Sequence, residues 1–422
     1  MSIFGKKTPE EVFTPRSKEV NASMYINRPK QEKALRNAVR TGYNIVIYGD
    51  SGCGKSWLYK KVFRDDDIYF TVFDFKDCRT EDDIDLQILD LLSDYEEWEH
   101  HEKVESRSLD IKPVRVGVGE QAENKFKKNE TQPYMRLLSA IRKAAKKKRA
   151  FLVFENLEYA IDKPDVVERI RSMLLGLDDL RAGAFEVKIC LVGVPSDIKD
   201  VLSDGNRHQT ISNRMYEIPE VGILDRKSVD LLITRGLEQE LEFSFESKAY
   251  CLSKIAFVTY QTPQYLHDVC LHVAFNAEDS LHRINPDTID DALEEWIMSK
   301  ASQSAEFIRS IVLYDRSVKQ AKAKIIYAIS RLNKHYFSAK DVNDALEKDF
   351  PQTLGKGKIQ TLRYLRNLSD GNNKFLKCDG ERLLFRVSTP YLRSCLRICL
   401  KKNNLDEHIE VKHLGVGATT VG

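Results

Sequence analysis

The sequence feature that most constrains the fold is the stretch GDSGCGKS at Gly49–Ser56. It fits the pattern G-x-x-x-x-G-K-[ST] and follows a short apolar, β-rich run, NIVIYG. Helical spacing begins near Lys55, so the local order is strand, glycine-rich loop, helix. In this order the pattern binds phosphate, whereas elsewhere it would be a loop rich in small residues.

Each residue type in this stretch has a physical role in holding phosphate. Glycine adopts backbone conformations that are closed to other residues, so successive N–H groups can converge on phosphate oxygens. The next helix adds the positive end of its dipole, Lys55 adds a charge for the β- and γ-phosphates, and the Ser56 hydroxyl ligates Mg²⁺. The predicted nucleotide-binding residues of this loop are Gly49, Asp50, Ser51, Gly52, Cys53, Gly54, Lys55, Ser56 and Trp57.

Apolar runs that alternate with helical spacing predict a parallel sheet covered by helices on both faces. The runs are IYFTVFDF (68–75), FLVF (151–154), KICLVGV (188–194) and MYEIPEV (215–221). Helical spacing follows from about residue 225, and near residue 321 begins a set of helices closed by two short strands, FLKC and LLFRV. We therefore expect an α/β P-loop NTPase core, an all-α lid and a winged-helix domain.

The expected domain boundaries follow from these shifts in pattern. They are an N-terminal lead-in and helix (1–40), a P-loop ATPase core (41–224), a helical lid (225–315), a winged-helix domain (316–402) and a flexible tail (403–422). An acidic and then Lys/Asn-rich stretch near 95–133 interrupts the core, and we interpret it as an insertion, either a flexible loop or a hairpin.

Composition excludes several other classes of protein. No apolar run approaches the roughly eighteen residues of a membrane span, and MSIFGKKTPE lacks the apolar stretch of a signal peptide. The eight cysteines include no C-x-x-C pair, which favours reduced thiols over a disulfide framework or a zinc site. We expect a cytoplasmic protein with no membrane partner.

Basic residues are concentrated near the C-terminus. Residues 319–402 contain 19 Lys and Arg against 7 Asp and Glu, a net charge of +12, so a chain of +2 leaves −10 elsewhere. This module either meets an anionic partner or docks on the acidic remainder of the chain. If the partner is DNA, the candidate contacts are Lys358, Arg363, Arg366, Lys374, Lys377 and Arg382.

The strand FLVF is followed by the acidic residues that a P-loop requires nearby for Mg²⁺. With the P-loop, the segment FLVFENLEYA resembles P-loop ATPases of the AAA+ group and the related STAND signalling ATPases, a resemblance that extends loosely from Met24 to Lys402. It implies ATP and Mg²⁺ as ligands, ATPase activity and nucleotide-dependent homo-oligomers. The AAA+ strand ends in Asp-Glu, a metal-site acid and a catalytic base, but here Glu155 is followed by Asn156, whose amide accepts no proton. Glu158 either supplies the base or is a solvated acid in the first turn of a helix.

The resemblance also assigns roles outside the P-loop. Ser196 follows CLVGV, where AAA+ proteins place a polar sensor of the γ-phosphate. Arg214 precedes the last strand, where the family often has an arginine finger that reaches a neighbouring subunit. Arg207 is the alternative finger, and an intramolecular salt bridge is the alternative role for Arg214.

The lid departs from AAA+ proteins because Gln264 and His267 occupy the stretch in which a sensor arginine is usual. Thr262-Pro263 is similar to the GxP signature of STAND lids, although Thr262 replaces its glycine. The sequence therefore predicts an ATP-dependent switch that controls self-assembly or the binding of a protein effector, similar to stand-alone bacterial ATPases of phage defence. The alternatives are a DNA-binding initiator or loader that resembles the origin-recognition ATPases, and a nucleotide-binding scaffold with little turnover.

Overall fold

The computed structural model describes residues 7–108, 133–177, 185–193, 214–300, 320–354, 360–370, 375–379 and 383–411. The chain divides into two compact units, each with a hydrophobic core of its own. We call Asn27–Asp50 with Gly54–Gly222 the sheet unit, and Met1–Ile26, Ser51–Cys53 and Ile223–Gly422 the helical unit.

The sheet unit is built on five parallel strands in the order β2-β3-β4-β1-β5. They are β1 (Asn44–Tyr48), β2 (Tyr69–Asp74), β3 (Ala150–Glu155), β4 (Val187–Gly193) and β5 (Met215–Glu217). The predicted apolar runs are thus confirmed as strands of a parallel sheet. Because the strands are parallel, their carboxyl ends share one edge, where the P-loop follows β1 and Glu155 ends β3.

Helices flank this sheet. They are Pro29–Thr41, Lys55–Asp65, Glu81–Ser108, Pro133–Ala145 and Pro164–Gly176, with 3₁₀ turns at Phe75–Asp77 and Leu157–Tyr159. The first begins with a proline and ends at Gly42, whose positive φ of 72° is a common helix stop. Residues 95–108 continue a helix and do not form the loop or hairpin expected there, while residues 109–132 lie outside the described residues.

The first part of the helical unit is a cluster of helices. They are Arg226–Thr234, Lys248–Val258, Pro263–Asp279 and Pro286–Lys300, with a π-helical turn at Arg235–Glu240 and a short parallel pair, β6 (Ser244–Phe245) and β7 (Arg283–Ile284). The helix Arg226–Thr234 begins at Asp225, whose carboxylate accepts a hydrogen bond from the Ser228 N–H (2.8 Å).

The second part of the helical unit begins with helices and continues with an antiparallel hairpin. The helices are Ala321–Arg331, Ala339–Asp349, Pro351–Leu354 and Thr361–Ser369, and the hairpin joins β8 (Leu376–Asp379) to β9 (Leu384–Val387). The two short strands predicted from the sequence are therefore confirmed. A further helix, Pro390–Cys399, leads into β10 (Leu400–Lys402), which pairs with β11 (Ile409–Val411) where the sequence had predicted a flexible tail.

The N-terminal segment packs within the helical unit. The short helix Pro9–Val12 is followed by Phe13, which is buried together with Met24 against Gly236. A Cβ atom on Gly236 would lie 2.2 Å from the Phe13 ring, so a glycine is required for this contact. The sequence had grouped residues 1–40 together, but the structure divides this range, because the helix Pro29–Thr41 belongs to the sheet unit.

All eight cysteines are free thiols, as the sequence predicted. Across the described ranges no helix combines the length and the apolarity that a bilayer crossing requires.

Candidate functional site

The P-loop has the backbone conformation that phosphate binding requires. Gly49, Gly52 and Gly54 have φ angles of 146°, 81° and 92°, a region that favours glycine. A Cβ atom on Gly49 would lie 2.2 Å from the carbonyl oxygen of Val221, so no larger residue fits there. The glycines of the motif are therefore required by geometry.

The Lys55 side chain folds back over the loop from the first position of the helix Lys55–Asp65. Its ammonium donates hydrogen bonds to the carbonyl oxygens of Gly49 (2.9 Å) and Asp50 (3.1 Å). Ser56 and Trp57 follow in the first turn, whose N–H groups point towards the loop. Backbone donors and a cation thus converge on one loop.

Glu155 ends β3 and binds a residue that the sequence analysis missed. The Tyr59 hydroxyl donates a hydrogen bond to Glu155 Oε1 (2.9 Å) from the second turn of the P-loop helix. Tyr59 lies three residues after Ser56, and residues at this spacing share a helix face. Ser56 and Glu155, the two predicted metal-site residues, therefore lie on the same side of the helix. The three-residue spacing of Ser56 and Tyr59 was the feature of the sequence that could have indicated a role for Tyr59.

Asn156, which occupies the place of the usual catalytic base, is hydrogen-bonded to Asp74, a second residue that the sequence analysis did not select. Its backbone is left-handed (φ 60°), and its amide nitrogen donates to Asp74 Oδ1 (2.6 Å). Asp74 ends β2 directly opposite Glu155 and also accepts a hydrogen bond from the Lys76 N–H (3.0 Å). The sequence could have indicated Asp74 as a site residue, because it is an acidic residue at the end of a predicted strand.

Glu158 lies in the 3₁₀ turn Leu157–Tyr159, immediately after the strand that supplies Glu155. Its Oε2 atom is buried, and it has no hydrogen-bond partner in the part of the chain that the structure describes. The carboxylate is therefore not the fully solvated acid that was one of the two sequence interpretations. An ionised oxygen in this state requires a donor, which a bound water can supply.

Arg214 lies at the edge of the sheet opposite the P-loop. Its carbonyl oxygen accepts a hydrogen bond from the N–H of Asn44 (3.2 Å), the first residue of β1, whereas the P-loop follows the last residue of β1. The rise of a β-strand separates these ends by roughly 16 Å, more than an arginine side chain spans. Arg214 cannot reach the P-loop of its own chain. Ser196 and Arg207 lie outside the described residues.

Within the helical unit, the start of the helix Pro263–Asp279 contacts the tip of the P-loop. The Gln264 N–H donates to the carbonyl oxygen of Gly52 (3.1 Å). His267 instead faces the N-terminal segment, because its Nδ1 accepts a hydrogen bond from the Thr14 N–H (3.2 Å). Burial lowers the pKa of His267 to about 4, so the ring is neutral at physiological pH and supplies no charge for a phosphate.

The basic residues of the C-terminal part are exposed where the structure describes them. Arg363 and Arg366 lie on the exposed face of the helix Thr361–Ser369, opposite the buried Leu365. Lys377 is exposed on β8, directly opposite Arg386 of β9, a basic residue that the sequence analysis missed. The other predicted contacts, Lys358, Lys374 and Arg382, lie outside the described residues.

The oxygen ligands near the P-loop fit Mg²⁺. Ser56 and Glu155 supply a hydroxyl and a carboxylate, the hard donors that Mg²⁺ prefers. Within the described ranges no group of three or more His, Cys, Asp or Glu side chains could hold a metal alone. This donor set suits a cation that keeps several waters and is held mainly by nucleotide phosphates.

Comparison with protein families identifies the segment that contains this loop. Residues 38–202 match the family model described as an AAA domain. This segment is therefore similar to AAA domains. The matched segment contains the P-loop, Tyr59, Asp74 and Glu155, while no curated protein matched the chain.

Solved structures with a similar fold span most of the chain. The Walker-type ATPase of Pyrococcus abyssi has 13% identity and a TM-score of 0.51 over 88% of this chain and 96% of its own. Cdc6p of Pyrobaculum aerophilum has 17% identity and a TM-score of 0.44 over 92% and 96%. The ORC1 protein of Aeropyrum pernix, solved in complex with DNA, has 11% identity and a TM-score of 0.46 over 93% and 96%. At these identities the first likeness supports a shared fold, and none of the three establishes an activity.

Proposed function

We propose that the chain is an ATP-hydrolysing molecular switch whose nucleotide state controls self-assembly or the binding of a protein partner. The observation that carries the proposal is the geometry of the P-loop, which lies in the segment similar to AAA domains. Its glycines have positive φ angles, and the Lys55 ammonium lies on the carbonyl oxygens of the loop, ready to exchange them for phosphate oxygens. On the resemblance to stand-alone ATPases, we propose bacterial phage defence as the setting.

The proposed chemistry divides among three side chains. Ser56 and Glu155 hold Mg²⁺, which shields the phosphate charges when it is bound. Glu158 accepts the proton of the attacking water, because its buried Oε2 lacks a donor among the described residues and the Asn156 amide cannot accept a proton. Glu158→Gln should keep ATP affinity and lower turnover about a hundredfold or more. Turnover that is unchanged in this variant would remove Glu158 from the mechanism.

The test of the nucleotide site is ATP binding by Lys55→Ala. Removing the ammonium should weaken ATP affinity by about tenfold or more, because charge-assisted hydrogen bonds to phosphate are lost. Lys61→Ala is the matched control, since Lys61 lies on the same helix but pairs with Asp65. Unchanged ATP affinity in Lys55→Ala, measured with a fluorescent ATP analogue, would refute the proposed site.

Assembly follows from the position of Arg214, which we propose reaches the site of a neighbouring copy. Mixing Arg214→Ala with Lys55→Ala subunits should restore part of the turnover that each variant lacks alone, since an intact P-loop then meets an intact arginine. Arg40→Ala is the control, because Arg40 is an exposed arginine in the last turn of the helix Pro29–Thr41. A chain that remains monomeric in sizing experiments with a slowly hydrolysed ATP analogue would contradict the arrangement.

A second candidate function, DNA binding through a winged helix, is favoured by the hairpin. Lys377 and Arg386 stand directly opposite each other on the hairpin and concentrate positive charge there, which suits an anionic partner. Reversing the charges of Arg363 and Arg366 should abolish salt-dependent binding to random DNA, and Lys227→Glu, exposed elsewhere in the helical unit, is the control. Absence of binding at low salt would leave the protein-partner switch as the function.

A further inference from the structure

The hydrogen bond between Tyr59 and Glu155 links the P-loop helix to the end of β3. The two residues are 96 positions apart in the sequence, and their side chains meet at 2.9 Å. The Tyr59 ring is fully buried, and it packs edge-on against Phe63 and Phe70 at centroid distances of 5.6 and 5.7 Å. A phenylalanine would make the same ring contacts, so packing does not explain the hydroxyl.

The Tyr59 hydroxyl is a permanent donor. A phenol is protonated at physiological pH, so its O–H is available to donate to a carboxylate. A buried hydroxyl without a partner is costly, and Glu155 Oε1 is the acceptor that satisfies it. The contact therefore fixes the orientation of the carboxylate as well as that of the ring.

The two oxygens of the Glu155 carboxylate differ in their hydrogen bonding, because Tyr59 donates to Oε1. Among the described residues, Oε2 of Glu155 has no hydrogen-bond donor bound to it. One oxygen is thus fixed by Tyr59, and the second is free for the water ligands of a cation.

We infer that Tyr59 is a positioning residue of the magnesium site, and that its hydroxyl orients the Glu155 carboxylate towards the cation. This inference rests on the proposed nucleotide function. Tyr59 and Ser56 lie one turn apart on the same helix face. The helix therefore positions both Ser56, the proposed ligand of the cation, and Tyr59, which orients Glu155. Partners of this kind tune metal affinity without contacting the metal.

The test measures metal binding and nucleotide binding separately in Tyr59→Phe. Mn²⁺ replaces Mg²⁺, because its affinity for the complex with ADP can be read by electron paramagnetic resonance without turnover. We expect Mn²⁺ affinity to fall by about tenfold, the lower end of the range for residues that orient metal ligands, while metal-free ADP affinity stays within about twofold. A purely structural role would lower both affinities together.

Tyr134→Phe is the matched control, since Tyr134 is a buried tyrosine of the same unit whose hydroxyl donates to the Met173 carbonyl oxygen. A double-mutant cycle with Glu155→Gln provides the second measurement, because residues that act through one another lose less together than the sum of their separate losses. Unchanged Mn²⁺ affinity in Tyr59→Phe, or strict additivity in the cycle, would overturn this inference alone. A wild-type chain that binds no nucleotide would instead overturn the proposed function.

Discussion

Acidification should release the N-terminal segment from the helical unit through His267. The imidazole is 3% exposed, its Nδ1 accepts the Thr14 N–H, and its ring packs edge-on against Phe13 at 5.9 Å. A protonated Nδ1 is a donor and can no longer accept this hydrogen bond. The docked segment therefore requires neutral His267, and the undocked segment does not.

The size of the effect follows from the two pKa values. His267 titrates at about 4 when docked, compared with the ordinary value of 6.5, so the undocked state binds more protons between these pH values. Docking stability is therefore complete above pH 6.5 and declines as the pH falls towards 4. At pH 5 the ordinary value lies about 1.5 pKa units above the pH, which corresponds to a loss of about 2 kcal/mol relative to pH 7.

Hydrogen exchange at the Thr14 amide measures this loss directly. After correction for the intrinsic exchange rate, we expect protection to fall about 30-fold between pH 7 and pH 5. His267→Asn keeps an acceptor for Thr14 but does not titrate, so its protection should be nearly independent of pH. His272→Asn, on the same helix, is the control. The reasoning is refuted if wild-type protection changes no more with pH than that of His267→Asn.

Two glycine substitutions test the backbone directly. Gly49→Ala should abolish nucleotide binding without unfolding the chain, because the new Cβ would lie 2.2 Å from the Val221 carbonyl oxygen; normal ATP affinity would contradict this. Gly236→Ala should destabilise the helical unit by about 1–3 kcal/mol through its clash with Phe13, measured as the midpoint of chemical denaturation. Gly176→Ala, which meets no atom within 4 Å, is the control for both and should change neither quantity.

The sheet and the P-loop were predictable because their signals are local. Continuous apolar runs are typical of buried parallel strands, and β1, β3 and β4 are buried along almost their whole length. The glycine pattern likewise specifies its own backbone, since Gly49, Gly52 and Gly54 adopt conformations that few other residues tolerate. The spacing of these glycines in the sequence was therefore sufficient to predict the P-loop.

The side-chain pairs of the site were not predictable because they depend on strand order. Tyr59 meets Glu155 across 96 positions, and Asn156 meets Asp74 across 82 positions. Hydrophobic periodicity does not indicate that β2 lies beside β3. Without the strand order, Asp74 cannot be assigned to the same site as Asn156. The packing of Phe13 in the helical unit was not predictable either, because Phe13 and Gly236 are far apart in the sequence.

The unusual Glu155-Asn156 sequence does not by itself indicate an inactive site. The structure places three carboxylates at or just beyond the carboxyl ends of two adjacent strands, Asp74, Glu155 and Glu158, and gives them different partners. One oxygen of Asp74 accepts from the Asn156 amide and one of Glu155 from Tyr59, whereas Oε2 of Glu158 is buried and lacks a donor within the described chain. A buried carboxylate oxygen without a donor is free to accept a hydrogen bond from a water molecule. This distribution of partners is the basis of our proposal that Glu158 takes the place of the usual base.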